Sequence, residues 1–241
     1  MVKISLCTTC HNRAWQLNQV FFRNIQELKK HSDVEWILLN YSSSDYLHDF
    51  IIRELPAQPS QFVYVVDKNP KSWNASIANN IVHRLASESS LVLMNLDADN
   101  LIGNSIDLIK EKMLVGGTEL VQMWSKDTRD GTYGRIAITK KRFYEIGGYD
   151  ESFFPMGYQD VDIMKRARKA GASFLEVTIP LNMAIKNAKA DSTTHCNMPG
   201  LTWYDFDRLN REKSNKNITS GKFRINNDWL EPNVEIFRGG S

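Results

Sequence analysis

Asp97 and Asp99, in the run NLDADN, stand two residues apart at the end of an apolar segment. In an extended strand that spacing sends both carboxylates to one side. Two carboxylates that close repel each other unless a cation lies between them, so the pair fits a hard divalent ion such as Mn²⁺ or Mg²⁺, although Asp-x-Asp also occurs in turns and helix caps. A second acidic pair, Asp160 and Asp162 in YQDVD, opens a stretch of helical period where either residue can cap the helix or accept a proton. Residues 7–13, CTTCHNR, bring Cys7, Cys10, His11 and Arg13 together. The C-x-x-C-H spacing fits haem attachment, the two cysteines with His195 and Cys196 fit zinc, and Arg13 behind Asn12 fits a loop that receives an anion. The haem reading needs export and would set a porphyrin against a strand end. The zinc reading rests on one C-x-x-C without a second pair, and small cysteines near strand ends are more often core.

These residues need a frame that brings them together. Short apolar runs of strand length alternate with stretches of helical period. Strands are expected at 2–9, 34–40, 62–67 and 90–96, and helices at 13–30 and 45–55. A further helical stripe runs through Trp73, Ile77, Ile81 and Leu85. Four such units imply an α/β fold whose parallel sheet carries helices on both faces. Ligands of such sheets bind at the carboxyl ends of the strands, here 8–13, 40–45, 67–72 and 97–100. Beyond them a helix at 102–113, strands at 119–124 and 133–139, and helices at 140–146 and 160–170 are expected. The polar, basic stretch 208–224 reads as a mobile surface segment, open to ordering over a bound anion or to staying disordered, and 201–241 as a C-terminal tail.

Thirty basic and 28 acidic side chains in 241 residues leave a net charge of +2, spread along the chain. That balance argues against nucleic acid and for a small-molecule partner. No run is apolar for long enough to serve as a signal peptide or membrane span, and three cysteines suggest free thiols. A cytoplasmic setting is expected, with a peripheral contact at the inner face of a membrane left open through 208–224. The sequons at Asn74 and Asn217 carry no weight without secretion.

In order and spacing, TTCHNR, NYSSSD, WNASIANN and LDADN resemble the family-2 pattern of nucleotide-sugar glycosyltransferases with the A-type fold. The stretch GRIAITKKRFYEIGGYDESFFPMGYQDVDIMKRARKAG is similar to the C-terminal part of β-1,4-galactosyltransferases and related polysaccharide polymerases. The resemblance spans roughly residues 2–175. It implies a single Rossmann-like domain with a mainly parallel central sheet, 1–100 forming a nucleotide-sugar half and 101–200 an acceptor-binding and catalytic half. It further implies that Thr9, His11 and Arg13 hold the nucleotide and its diphosphate, that Asp97 meets ribose or metal-bound water, and that Asp99 binds Mn²⁺ or Mg²⁺ with His195 as a further ligand.

Asp160 falls at the family's catalytic aspartate, which makes inversion the implied outcome, and the helix N-terminus is expected to keep its carboxylate ionised. The turn that usually carries a uracil-reading Asp is Asn40-Tyr41-Ser42 here, which leaves an amide to meet the base. Gln159, Tyr158 and Asp162 fall where the acceptor is gripped, with Met156 in place of an acceptor-stacking Trp. Phe153, Phe154, Tyr158 and Trp203 are candidates to stack on sugar rings. The implied activity is hexosyl transfer from a UDP-linked donor to a saccharide or glycoconjugate, as in surface polysaccharide synthesis. The alternative is a module that binds nucleotide sugar without turnover.

Overall fold

A computed structural model describes residues 1–69, 72–186, 193–226, 228–229 and 231–240. Residues 70 and 71 of the expected ligand-binding segment 67–72 lie outside the described residues. The strands are β1 (Ile4–Cys10), β2 (Val34–Asn40), β3 (Phe62–Asp67), β4 (Val92–Asn95), β5 (Leu120–Trp124), β6 (Ile136–Thr139), β7 (Phe174–Thr178) and β8 (Val234–Arg238). They form one sheet in the order β7-β5-β6-β4-β1-β2-β3-β8. The β1–β2, β1–β4, β2–β3 and β5–β7 pairs are parallel, and β3–β8, β4–β6 and β5–β6 are antiparallel.

Helices cover both faces, which is why β2 and β4 are buried along their whole length. On one face, Leu17 and Phe21 of α1 (Ala14–Leu28) and Phe50 of α2 (Leu47–Glu54) pack with Leu6, Trp36 and Phe62. On the other, Ala78 and Ile81 of α3 (Ala75–Arg84), Phe143 of α5 (Lys140–Glu145) and Ile163 of α6 (Gln159–Lys169) pack with Ile37 and Leu39. Between α3 and α5, the helix α4 (Ser105–Ile109) widens into a π-helical turn at Lys110–Val115. Cys7 and Cys10, three residues apart on β1, fall on opposite faces of the sheet. Both thiols are free and buried, and they cannot share an ion.

The described residues of the expected C-terminal tail supply the helix α7 (Trp203–Thr219) and the edge strand β8. Most of 208–224, read as a mobile segment, lies in α7, whose Thr202 and Asp205 form a reciprocal capping box. The residues α7 buries are Phe206, Asn210 and Ser214, a stripe that is two-thirds polar and so escapes a reading by hydrophobic period. Asn210 donates to the carbonyls of Phe154, Met156 and Gly157 and accepts from Phe154 N. The helix thereby fixes the loop that leads into α6. No helix among the described residues is long and apolar enough to cross a membrane.

Candidate active site

The carboxyl ends of β1 and β4 open onto a cavity of about 220 Å³. Its β1 wall begins at Thr9, whose hydroxyl donates to Asn79 on α3 (3.3 Å). Asn12 takes a left-handed backbone (φ 54°), and its side-chain oxygen accepts from Ser44 N (2.7 Å) and Asp45 N (3.3 Å). Asp45 in turn accepts from Ala14 N at the start of α1 (2.9 Å). These bonds bind the 10–13 loop to the turn after β2 and hold Arg13 at the head of α1, where it donates to Gln16 (3.4 Å). His11 donates from Nδ1 to the Tyr41 carbonyl and stacks on Trp73, with ring centroids 5.9 Å apart and 18° between planes. Trp73 N donates to His195 O (3.0 Å), and the His195 ring meets His11 edge-on.

Opposite this wall stand three carboxylates. Asp97 and Asp99 lie in a turn just past β4, closed by Asn100 N donating to Asp97 O (2.9 Å), so the turn and not the strand's pleat brings them together. One Asp97 oxygen accepts from Asn95 (3.1 Å), and one Asp99 oxygen from Asn100 (2.7 Å). Asp160 comes from the first turn of α6. Gly134 sits where Asp97 and Asp160 converge: a Cβ there would lie 3.2 Å from Asp97 Oδ2 and 3.0 Å from Asp160 Oδ2. Beneath them Arg135, fully buried, donates to Ser105 (3.1 Å) and to the side-chain oxygen of Asn100 (2.8 Å).

The electrostatics follow from that crowding. Burial, and then the charge of Asp97, lifts Asp160 from 3.8 to about 7. The same two causes lift Asp99 to about 7. Asp97 is itself raised by burial, against Asn95 and Arg135, which pull it down. Burial and the neighbouring Asp97 thus act on Asp160 against the helix N-terminus, which is expected to keep it ionised. Burial lowers His11, against its hydrogen bond to Tyr41, which raises it.

Of the residues singled out in the sequence, Thr9, His11, Arg13, Asp97, Asp99, Gln159, Asp160 and His195 all line this cavity. Asn40, Tyr158 and Asp162 do not. Asn40 is buried, its oxygen accepting from Ser43 N (2.8 Å) and its amide donating to Tyr64 (2.9 Å), so it holds a turn together instead of meeting a base. Tyr158 turns toward Lys165 and Arg211, whose cations lie 5.1 and 5.4 Å from its ring centre. Asp162 is fully buried against Arg166 (2.6 Å). None of Phe153, Phe154 and Trp203 lines the cavity either; Phe153 is core and Phe154 stacks on Phe206.

His195 reaches the cavity, but its Nδ1 lies 3.3 Å from the Asn12 amide. Among the described residues no three His, Cys, Asp or Glu side chains are grouped to hold a metal, which leaves His195 outside any such set. Sequence reasoning missed Gln16, Gly134 and Arg135, and read Trp73 as part of a helix stripe. The one visible signal was Arg135, a charge at the head of the apolar run IAIT.

Residues 71–216, more than half of the chain, match the family described as Glycosyltransferase like family 2. The chain belongs to glycosyltransferase-like family 2. Solved structures similar to this family member share its A-type glycosyltransferase fold. One is the mannosyltransferase PcManGT from Pyrobaculum calidifontis in complex with GDP-Man and Mn²⁺, with TM-score 0.58 and 12% identity over 76% of this chain and 56% of that one. Another is the catalytic domain of Drosophila β1,4-galactosyltransferase 7 with xylobiose, with TM-score 0.57 and 14% identity over 86% and 80%. A third is glucosyl-3-phosphoglycerate synthase from Mycobacterium tuberculosis in complex with phosphoglyceric acid, with TM-score 0.59 and 14% identity over 82% and 81%. The chain thus spans little more than half of the Pyrobaculum enzyme, and 60% of S. aureus TarS 1-349. No curated protein matches it in sequence.

Proposed function

We propose that this cavity transfers a sugar, with inversion, from a nucleoside-diphosphate donor to a hydroxyl of a saccharide or glycoconjugate acceptor. The observation that carries the proposal is the convergence of Asp97, Asp99 and Asp160 opposite Arg13 in one cavity at the strand ends. Arg13 would grip a diphosphate in this cavity as a forked cation, and Asp97 and Asp99 would hold a divalent ion that offsets the diphosphate's charge. The donor set fits Mn²⁺ or Mg²⁺: Asp97 and Asp99 each have one oxygen held by an asparagine, and Asp97 is raised by burial and Asp99 by burial and the charge of Asp97, which a cation would relieve. Such ions need only one or two protein carboxylates when substrate phosphates complete the shell. When bound, the ion neutralises charge on the departing diphosphate.

The chain's own residues do the rest. The Asp160 carboxylate takes the proton of the acceptor hydroxyl as that oxygen bonds to the anomeric carbon and the bond to the diphosphate breaks. A value of about 7 suits a base that works near neutral pH. The side-chain oxygen of Gln159 is buried without a protein partner beside the cavity, and it accepts from a sugar hydroxyl. Met156 offers an apolar face nearby, and His11 stacked on Trp73 walls the nucleotide. With Asn40 committed elsewhere, uridine specificity rests on resemblance alone. The similar solved structures carry both kinds of donor, GDP-Man in the Pyrobaculum enzyme and UDP-Gal in a variant of the Drosophila one.

The test is release of UDP or GDP from a panel of nucleotide sugars with Mn²⁺ and saccharide acceptors. Asp160→Asn should abolish release and leave donor binding in place. A protein that binds donors and never turns one over is instead a binding module, and the proposal fails.

A further inference from the structure

Gln16 lies in the first turn of α1 and is 1% exposed, yet it lines the cavity. Its side-chain oxygen accepts from Arg13 (3.4 Å), which settles which end of the amide faces which way. The other end, Nε2, is buried and has no partner. Among the described residues, the buried side-chain atoms without a partner that belong to cavity-lining residues are Gln16 Nε2 and Gln159 Oε1. A buried N–H left unpaired is unfavourable, so its retention calls for a partner that arrives later. Nε2 can only donate, and its surroundings select an anion. Arg13 sits one turn away and lines the same cavity, so the amide N–H and the guanidinium present donors and positive charge together.

We infer that Gln16 Nε2 donates to a phosphate oxygen of the donor's diphosphate, completing with Arg13 an anion subsite in the cavity that Asp97 and Asp99 also line. The inference rests on the nucleotide-sugar reading given above. Two substitutions isolate it. Gln16→Glu preserves size and gives Arg13 a stronger partner, but it replaces the donor with negative charge. Gln16→Met removes the amide without adding charge.

Calorimetric titration of the full chain and both variants with UDP, GDP and pyrophosphate in Mg²⁺, and with uridine and guanosine as phosphate-free arms, reads the contact. A hydrogen bond to a charged group predicts roughly ten- to hundredfold weaker binding of nucleotides and pyrophosphate by Gln16→Met. The loss for Gln16→Glu should be at least as large. Both melting temperatures should be no lower than that of the parent chain, and Gln16→Met decides the matter if the glutamate variant does not fold. Unchanged pyrophosphate affinity in Gln16→Met overturns the inference, whether or not nucleotide affinity falls. Parent protein that binds neither UDP nor GDP overturns the nucleotide-sugar reading itself.

Discussion

Asp160→Asn should make the free protein more stable at pH 8 while removing its activity. Burial and Asp97 hold the Asp160 carboxyl at about 7 in the folded chain, against 3.8 ordinarily. Between those values the folded protein keeps a proton that the unfolded chain has lost. Stability therefore falls as pH rises from about 4 to about 7, and it is level outside that window. At about 1.4 kcal/mol for each tenfold change in proton affinity, the ceiling on this loss is about 4 kcal/mol. Because the carboxylate borders a cavity that water enters, about 2–4 kcal/mol is the expected recovery when Asn replaces it.

For a domain of this size each kcal/mol moves the melting temperature by about 2–4 °C. The variant should therefore melt roughly 5–15 °C above the parent at pH 8 and within a few degrees of it at pH 4, where both side chains are neutral. The assay is a thermal melt of the two proteins at both pH values with EDTA present. An equal shift at pH 4 and pH 8, or a variant that melts lower at pH 8, would refute the picture of a carboxylate held unfavourably beside Asp97.

Gly134→Ala should lower turnover by about tenfold or more with little change in melting temperature, because its Cβ would press on the Asp97 and Asp160 oxygens; release of nucleoside diphosphate checks it. In the free enzyme kcat/KM should rise with pH and level off above about 7 as Asp160 loses its proton, and high Mn²⁺ should move that rise to lower pH by offsetting the charge of Asp97. Arg166→Leu should cost roughly 3–5 kcal/mol in urea unfolding, since it leaves Asp162 buried without its cation and frees the carbonyls of Ile146 and Gly148. Arg13→Ala should weaken binding of UDP and GDP alike and flatten the salt dependence of that binding, as measured by calorimetry.

The N-terminal half was legible because each signal there is local. VEWILLN and FVYVVD are apolar runs bounded by turn residues, and β2 and β3 coincide with them. Asp97, Asp99, Arg13 and Asp160 stood out as charged side chains at strand ends and a helix start, although carboxylates in such places also serve as caps. Spacing does not reveal which way a polar side chain points. Asp162, two residues beyond Asp160, falls on the far side of α6 and pairs with Arg166. Asn40 ends β2 as foreseen, but Tyr64 of β3 and Ser43 claim both ends of its amide. α7 stayed hidden because its inward stripe depends on Asn210, and β8 because five alternating residues show nothing of the distant strand they join. Gln16 and Arg135 were missed for the same reason: a buried polar group is recognised by its neighbours, and those come from far along the chain.

The antiparallel strand β8 pairs residue by residue with β3, although Val63 and its partner Arg238 lie 175 positions apart in the chain. During synthesis the parallel strands β1 to β4 leave the ribosome long before their outermost member finds this partner. Until then the amides and carbonyls along one side of β3 are unpaired, the kind of edge at which a nascent chain can pair with its neighbours.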